Sequence, residues 1–445
     1  MGMPDDKKDE KWYYTFLPYN IAGGSTNPII PLFVTEGLKG TVGQVGIVSA
    51  ITSIAAVPAN ILWGNLSDTM QKRKPFIIMG FLGMGLALLL MGLSTSIPQY
   101  YLANFMLGLL AAAVAPVGTV LVLESFEKKD WAKRLGDFSK VGGIGWVVGL
   151  LIGTAWLMLL NGSDGENSTR ALFMLAAVLC LVSTALAFRW VPEPKEKLRR
   201  ECIDPEELGH AHSHVLERAR YLPQRVLFVA KVSAKNLKLA NFPSNLKRYY
   251  VMTFLAFAGF LSFYVAFPIF LSQYVGLSDA DIFIIYIASS VASVLTYSLV
   301  GRLIGRIGGK RIQAIAFASR IFIFPAFFLV TMLNLPFLAL FAALLLLHAM
   351  AGLCWAGISV SGNALVSRMS YRDFRTQSLG MYNSIQGVAA IFGSVLGGFI
   401  AEYYGYQTEF LMASGFILCG LIMLLSTNVD KVPGDEEGPH IVKCD

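Results

Sequence analysis

The sequence predicts an all-α polytopic membrane protein, with twelve transmembrane helices in two pseudo-symmetric six-helix bundles. The first observation is composition: 55% of the 445 residues are hydrophobic and only 15% are charged, whereas soluble proteins carry about 25% charged residues. The second is that the apolar residues form runs of roughly 20, the length of helix that crosses a hydrocarbon core. The third is a basic segment between apolar runs that occurs twice.

Twelve apolar runs define the predicted spans, and each must be a helix because lipid offers no partner to an unpaired backbone group. They cover residues 12–35, 42–63, 76–95, 99–123, 136–160, 170–191, 249–274, 280–302, 312–334, 337–366, 379–401 and 408–427. The chain therefore divides into an N-terminal tail (1–11), a first bundle (12–191), a charged linker (192–248), a second bundle (249–427) and a C-terminal tail (428–445).

The distribution of Lys and Arg predicts the orientation of the spans. All but four of the 36 cationic residues belong to the tails, to the loops after even-numbered spans or to the span ends that adjoin those loops; Lys39 and Arg170 are on the other side, and Lys140 and Arg320 are within spans. By the positive-inside rule, both termini and the even-numbered loops are predicted to be cytoplasmic. The net charge of +7 is then an orientation signal, and no nucleic-acid partner is predicted.

The two halves are predicted to be copies of each other. Residues 64–74 (GNLSDTMQKRK) and 301–311 (GRLIGRIGGKR), 237 positions apart, share glycine, leucine and two terminal cations in register. We interpret each segment as a short polar turn, with Gly64 permitting a tight bend. Glycines at 136, 143, 149 and 153 map onto 380, 387, 393 and 397 at an offset of 244. Internal repeats of this kind are typical of secondary transporters.

Residues 64–74 resemble the loop 2–3 signature of the major facilitator superfamily, Gly-x-Leu-Ala/Ser-Asp-Arg-x-Gly-Arg-Lys. Residues 375–398 are similar to the span 11 pattern of the same superfamily, and the resemblance covers about residues 12–427. It implies a transporter whose two bundles rock about one central site by alternating access.

The resemblance also implies gating roles for the motif residues Gly64, Leu66, Asp68, Lys72 and Arg73. Asp68 is expected to latch onto the N-terminus of span 11, where unpaired amides favour an anion. Lys72 and Arg73 are expected to reach Glu124 at the end of span 4. The alternative is that these cations only anchor the loop to lipid head groups.

The chain departs from the family pattern at several positions. The second copy of the motif has Gly305 in place of the acid, so no second latch is expected, although it keeps Gly301, Arg306, Lys310 and Arg311. Asn104 stands where many proton-coupled members carry arginine, and Leu150 follows Gly149 where many drug/proton antiporters carry proline. These departures argue against a standard drug/proton antiporter.

Polar and aromatic side chains inside the spans are the candidates for a solute pathway. Taken singly, each is explained by packing between helices, but as a set they favour a cavity with aromatic walls and hydrogen-bonding groups. The candidates are Asn20, Ser25, Thr26, Asn27, Asn104, Trp146, Ser262, Tyr264, Tyr286, Tyr297, His348, Trp355, Asn383 and Gln386.

Ionisable residues inside the spans are functional candidates by default. His348 is placed near mid-depth, where it would bind substrate or carry a coupling proton; the alternative is a hydrogen-bonded core histidine. Arg320 would reach the cavity or extend back to the inner surface. With no second buried acid in view, a strongly charged substrate is not indicated. In the linker, His210, His212 and His214 lack a further ligand pair, so neither a metal site nor any cofactor is predicted.

We therefore predict a secondary active or facilitative transporter of a small organic solute in the plasma membrane, monomeric and surrounded by lipid, with proton coupling as one option. The alternatives are an efflux pump for amphipathic compounds and a transporter-like receptor that does not transport. An enzyme is not predicted, because the chain contains neither Gly-x-Ser-x-Gly nor His-Glu-x-x-His.

Overall fold

The structure is a computed structural model that describes residues 11–70, 72–126, 131–160, 165–193, 242–371 and 375–429. Within these ranges every regular element is a helix. Ten stretches are long and apolar enough to cross a membrane. Span 1 falls outside those ten because it is broken, and one 52-residue helix contains two spans that meet at Gly405, where φ is 82°. The predicted all-α fold with twelve spans is confirmed.

The first bundle begins with a 3₁₀ turn at Lys11–Thr15. Span 1 comprises Phe16–Thr26 and Ile29–Leu32, separated by a turn at Asn27 and Pro28, and ends in a π-helical turn at Phe33–Gly37. The other five spans are Val42–Met70, Lys74–Leu93, Ile97–Ala111 with Val114–Ser125, Trp131–Leu160 and Gly165–Trp190.

The second bundle repeats this order. Span 7 is Ser244–Ile269 followed by a π-helical turn at Phe270–Tyr274. Spans 8, 9 and 10 are Asp279–Ile307, Gly309–Thr331 and Phe337–Met369, and spans 11 and 12 are the two parts of Arg375–Ser426. We name the end of the array that holds Lys11 and Val429 the terminal face, and the end that holds Lys39 and Gly405 the opposite face.

The helices are longer than predicted at the terminal face. Span 2 was predicted to end at residue 63 and span 8 at residue 302, but the helices continue to Met70 and Ile307. The interpretation of residues 64–74 and 301–311 as short turns is therefore wrong, and so is a tight bend at Gly64. A helix needs apolar side chains only inside the hydrocarbon core. Spans 2 and 8 therefore continue as helices through polar residues beyond the predicted ends of the spans. In the second copy the turn falls at Gly308, whose φ of 87° favours glycine.

Backbone contacts repeat between the halves at the offsets found in the sequence. A Cβ atom at Gly149 would lie 2.2 Å from the Ile21 carbonyl oxygen, and one at Gly393 would lie 2.2 Å from that of Ala258. A Cβ atom at Gly108 would lie 2.2 Å from the Thr52 carbonyl oxygen, and one at Gly352 would lie 2.2 Å from that of Ser289. The π-helical turns at Phe33–Gly37 and Phe270–Tyr274 also correspond. Glycine allows these close helix crossings, which confirm two pseudo-symmetric bundles.

The two bundles contact each other toward the opposite face. Span 11 packs on span 2, where a Cβ atom at Gly46 would lie 2.3 Å from Ser394 O and one at Gly387 would lie 2.1 Å from Val57 Cγ2. Gly380 is on the same face of span 11 as Gly387, two turns nearer the terminal face, and a Cβ atom there would meet no atom of the described residues within 4 Å.

Spans 5 and 8, one from each bundle, are also in contact toward the opposite face. Gly153 faces the Phe283 ring, with a Cβ-to-Cε1 distance of 2.3 Å, whereas Gly301, five helical turns further along span 8, meets nothing within 4 Å. Among the described residues, the bundles are therefore in close contact toward the opposite face and make no such contact at Gly380 and Gly301, nearer the terminal face.

Candidate functional site

The motif residues form an ion pair at the terminal face. Arg73, at the start of span 3, donates from Nε to Glu124 Oε2 at 2.8 Å and from Nη2 to Oε1 at 2.6 Å. Its Nη1 donates to Ser67 Oγ at 2.8 Å, and Ser67 Oγ donates to Lys72 O at 2.7 Å. The side chains of Arg73 and Glu124 are at most 1% exposed. This bidentate pair joins the ends of spans 2, 3 and 4.

The same segment is joined to the end of span 6. The Glu193 carboxylate accepts from the backbone N–H groups of Arg73 and Lys74 at 3.0–3.2 Å, so it caps the N-terminus of span 3. Lys74 Nζ donates to Phe188 O at 2.7 Å. Lys72 is exposed, so of the two cations predicted to reach Glu124 only Arg73 does so. Leu66 is buried in the core of the first bundle.

The predicted latch involves a side chain outside the described part of the structure. The backbone at Asp68 is helical, but its side chain and those of residues 375–377 are not described. In the second copy, Lys310 Nζ donates to Leu425 O at 2.8 Å and to Thr427 O at 2.9 Å, at the end of span 12. Gly301, Arg306 and Arg311 are exposed. The linker histidines His210, His212 and His214 also lie outside the described residues.

The polar candidates of the first bundle bond mainly within their own helices. Asn20 donates to Phe16 O at 2.7 Å, and Ser25 and Thr26 donate to Ala22 O at 3.1 and 2.8 Å. Asn104 donates to Tyr100 O at 2.9 Å and accepts from Thr52 at 3.4 Å. Asn27 is exposed at the break in span 1. The half-buried Trp146 packs its ring on Gly23.

The second bundle brings Arg320 into a cluster of aromatic rings. Its guanidinium carbon lies 4.6 Å from the Phe260 ring centre, 5.7 Å from Tyr264 and Phe324, and 5.8 Å from Trp355. Nη2 donates to Ala351 O at 2.9 Å. Among the described residues, Nε and Nη1 have no hydrogen-bond partner. Arg320 is 0% exposed, so of the two alternatives predicted for it, the cavity and the inner surface, the second is wrong.

His348 adjoins this cluster. Its ring stacks on Phe267 at 4.8 Å, lies 5.1 Å from Tyr286 and stands edge-on to Tyr264 at 6.2 Å. The imidazole is 1% exposed, and its Nδ1 has no partner among the residues described. Two predicted candidates, Tyr264 and Trp355, thus contact Arg320, and His348 and Tyr286 adjoin them. Tyr297 and Asn383 are exposed and Gln386 is half-buried.

The sequence analysis missed a buried carboxyl group. Glu409 of span 12 is 0% exposed. Its Oε1 accepts a hydrogen bond from Ser262 Oγ at 2.7 Å, and in the described structure Oε2 has no partner. The signal was available, because Glu409 is an acid inside predicted span 12 and Ser262 was already a candidate. The expectation of no further buried acid is therefore wrong.

Carboxylates also join the bundles at the opposite face. Glu36 accepts a hydrogen bond from Ser272 of span 7's final turn, and Glu402 accepts from the Gly43 backbone N–H at 2.8 Å. Beside Glu36 is a cavity of about 250 Å³ whose lining includes Phe33, Lys39, Thr169 and Asp279. These bonds must break if this face is to open.

Comparisons with known proteins agree with this architecture. Multidrug resistance protein MdtG of Escherichia coli strain K12 / DH10B is 26% identical over 402 residues, covering 88% of this chain and 87% of its own. The solved structure of nucleoside transporter NupG has a TM-score of 0.67 at 17% identity, covering 94% of this chain and 98% of its own.

A second solved structure, of peptide transporter POT in complex with sulfate, has a TM-score of 0.64 at 13% identity, with 94% of each chain covered. A family model described as Major Facilitator Superfamily matches residues 15–347 and 250–441. The two bundles, the repeated crossings and this match together show that the chain is a multi-pass membrane transporter belonging to the Major Facilitator Superfamily.

Proposed function

We propose that this transporter exports amphipathic organic compounds from the cell by alternating access. The observation that carries the proposal is the cluster of Tyr264, Trp355 and other rings around Arg320 in the second bundle. Aromatic walls with a few polar groups suit solutes that have an apolar body. The relationship to a protein named as a multidrug resistance protein also supports this choice over uptake of a small polar solute.

The orientation of the chain gives the direction of access. We place both termini in the cytoplasm, because the cations cluster at the terminal face. The described arrangement, closed at the opposite face, is then the inward-open state, which would admit solutes from the cytoplasm. Outward opening would break the bonds of Glu36 with Ser272 and of Gly43 with Glu402. The motif at residues 64–74, with Asp68 as a latch, would hold the terminal face closed in that second state.

Several finer features belong to the same proposal. We place the protein in the plasma membrane as a monomer, with the bundle boundaries at 12–191 and 249–427 and without enzymatic activity. Coupling to protons would use His348 or the missed acid Glu409, since both are buried ionisable groups within the spans.

Transport in proteoliposomes tests the proposal. The probes are three compounds that share a naphthyl body and carry a carboxylate, a neutral amide or an ammonium group, offered with a proton gradient of either direction. The matched variant replaces Glu36 and Ser272 by cysteine in a protein whose native cysteines have been replaced, so that oxidation crosslinks the opposite face.

We expect accumulation of at least one probe, a loss of ten-fold or more after oxidation, and recovery after reduction. Flux that is unchanged by an efficient crosslink would contradict alternating access through this face. Binding of the probes without flux under any gradient would support the alternative of a transporter-like receptor.

A further inference from the structure

We propose that Arg320 is the binding group for the negative charge of an amphipathic organic anion, whose apolar body lies on Tyr264 and Trp355. This inference rests on the proposed transport function and names the substrate class. It starts from two facts: the guanidinium is 0% exposed, and it contacts four aromatic rings but no carboxylate among the described residues.

The aromatic rings satisfy only part of what a guanidinium needs. A ring attracts the planar cation over its face, and Phe260, with its centre 4.6 Å from Cζ, is the nearest. The N–H donors lie in the guanidinium plane and require acceptors there. Ala351 O accepts from Nη2 at 2.9 Å, whereas Nε and Nη1 have no acceptor in the described structure.

The unsatisfied atoms leave one edge of the guanidinium for an oxyanion. Carboxylate, sulfonate and phosphate groups accept two parallel hydrogen bonds from one edge, either from Nε with Nη2 or from Nη1 with Nη2. Nη2 carries two N–H groups and Ala351 O accepts from one of them, so the other can complete a fork with Nε or with Nη1. A cation held in an apolar site is costly unless it is paired. An anionic ligand would therefore supply both the missing acceptors and the missing countercharge, which a neutral or cationic ligand cannot do.

The surroundings add a second polar atom and a surface for the ligand's body. His348 lies 6.2 Å from the same Tyr264 ring, and its Nδ1 also lacks a partner in the part of the chain that is described. Tyr264 and Trp355 are half-buried, whereas Arg320 is fully buried. Span 7, which carries Tyr264, contacts span 2 of the other bundle, so it lies at the boundary between the two bundles. Because Arg320 is 0% exposed, a ligand can reach it only if neighbouring side chains move, and Tyr264 and Trp355 are half-buried rings that contact it.

The alternative is a structural arginine that only packs against aromatic rings. Both readings predict that large changes at Arg320 affect stability, so stability cannot separate them. They differ in charge selectivity: a structural arginine gives no preference between an anion and its neutral counterpart, whereas a binding arginine does.

Binding to the full-length protein in nanodiscs tests the inference with the three naphthyl probes. We expect wild-type protein to bind the carboxylate at least ten-fold more tightly than the amide, and the ammonium compound most weakly. Arg320→Met should lose the preference for the carboxylate while it still binds the amide, and Arg320→Lys should keep part of the preference. Trp355→Ala should weaken binding of all three probes without changing their order.

Binding to the wild-type protein alone can overturn the inference, so the test does not depend on whether the Arg320→Met variant folds. Equal binding of the carboxylate and the amide, or tighter binding of the ammonium compound, would do so. A transport measurement distinguishes a wrong substrate class from a wrong function. If the neutral or the cationic probe is transported and the anion is not, the protein is a transporter whose substrate is not an organic anion.

Discussion

At the scale of single residues, the two least exposed arginines among the described residues have opposite surroundings. Arg73 and Arg320 are 1% and 0% exposed. Arg73 has a carboxylate partner on span 4, at the terminal face. Arg320 lies halfway along span 9 and has aromatic rings and one carbonyl group. The first arrangement is complete within the protein, whereas the second leaves donors available to a ligand.

Glu124→Gln should destabilise the protein, because it removes one charge of a buried pair and puts a neutral amide where a carboxylate accepts from Arg73 Nε and Nη2. Breaking such a pair costs roughly 3–5 kcal/mol. Thermal unfolding in detergent should therefore show a clearly lower melting temperature. Glu193→Gln is the matched control, since Glu193 is exposed and its loss should have a small effect. A melting temperature equal to wild type for Glu124→Gln would show that the pair contributes little.

Glu409→Gln tests whether the buried carboxyl group takes part in proton coupling. The amide keeps the size of the side chain and an acceptor for Ser262, so the melting temperature should change little. Transport driven by a proton gradient should fall ten-fold or more, because the amide cannot exchange a proton. Exchange of labelled for unlabelled solute at equal pH should persist.

Ser262→Ala is the control for Glu409→Gln, since it removes the hydrogen bond but leaves the titratable group in place. Full gradient-driven transport by Glu409→Gln would exclude the coupling role.

At the scale of helices, glycine decides where two spans can cross. A Cβ atom at Gly149 would lie 2.2 Å from the Ile21 carbonyl oxygen and 2.8 Å from the Ser25 amide nitrogen. These neighbours are backbone atoms of span 1, which cannot rotate aside as a side chain could. Spans 1 and 5 can therefore approach this closely only while residue 149 is glycine.

Gly149→Ala should separate spans 1 and 5, and overpacking of this kind costs about 1–3 kcal/mol. The same substitution at Gly143, in the same helix, meets nothing within 4 Å; it should be neutral or stabilising by up to ~1 kcal/mol, because alanine favours helix. Both variants gain the same helix propensity, so the difference between their melting temperatures reports the overpacking at residue 149. Equal melting temperatures would contradict the crossing.

The sequence predicted the helices well and their ends less well, for a physical reason. Apolar runs mark the part of a helix inside lipid, so all twelve spans could be found. They do not mark the polar helical turns outside lipid, so the sequence predicts turns at residues 64–70 and 301–307, which are helical. The turn at Gly308 depends on a backbone angle of 87°, which one glycine among 42 does not reveal.

At the scale of the whole molecule, the candidate site could be predicted only in part. The family resemblance led to spans 7 and 10, hence to Tyr264, His348 and Trp355. It gave no means of knowing that Arg320 of span 9 lies among their rings, because that depends on how three helices are rotated against each other. Glu409 itself could be recognised as an acid inside predicted span 12, but its hydrogen bond with Ser262, 147 positions away, could not be predicted for the same reason.

The orientation of the molecule is testable with one native residue. In a protein that keeps only Cys444, we expect a membrane-impermeant maleimide to label inside-out vesicles and not intact cells, because the positive-inside rule places the C-terminal tail in the cytoplasm. Lys39→Cys in a cysteine-free background should give the reverse pattern. Labelling of Cys444 in intact cells would invert the topology, and with it the direction assigned to the terminal face.

The lysine bonds to carbonyl groups have a consequence for biosynthesis. Lys74 binds Phe188 O at the end of span 6, and Lys310 binds Leu425 O and Thr427 O at the end of span 12. In each bundle a lysine at the start of the third span can therefore form its bond to a carbonyl group only after the last helix of that half has been translated. Each half closes on itself only when its sixth helix has left the ribosome, so the first half can be complete in the bilayer before synthesis of the second has begun.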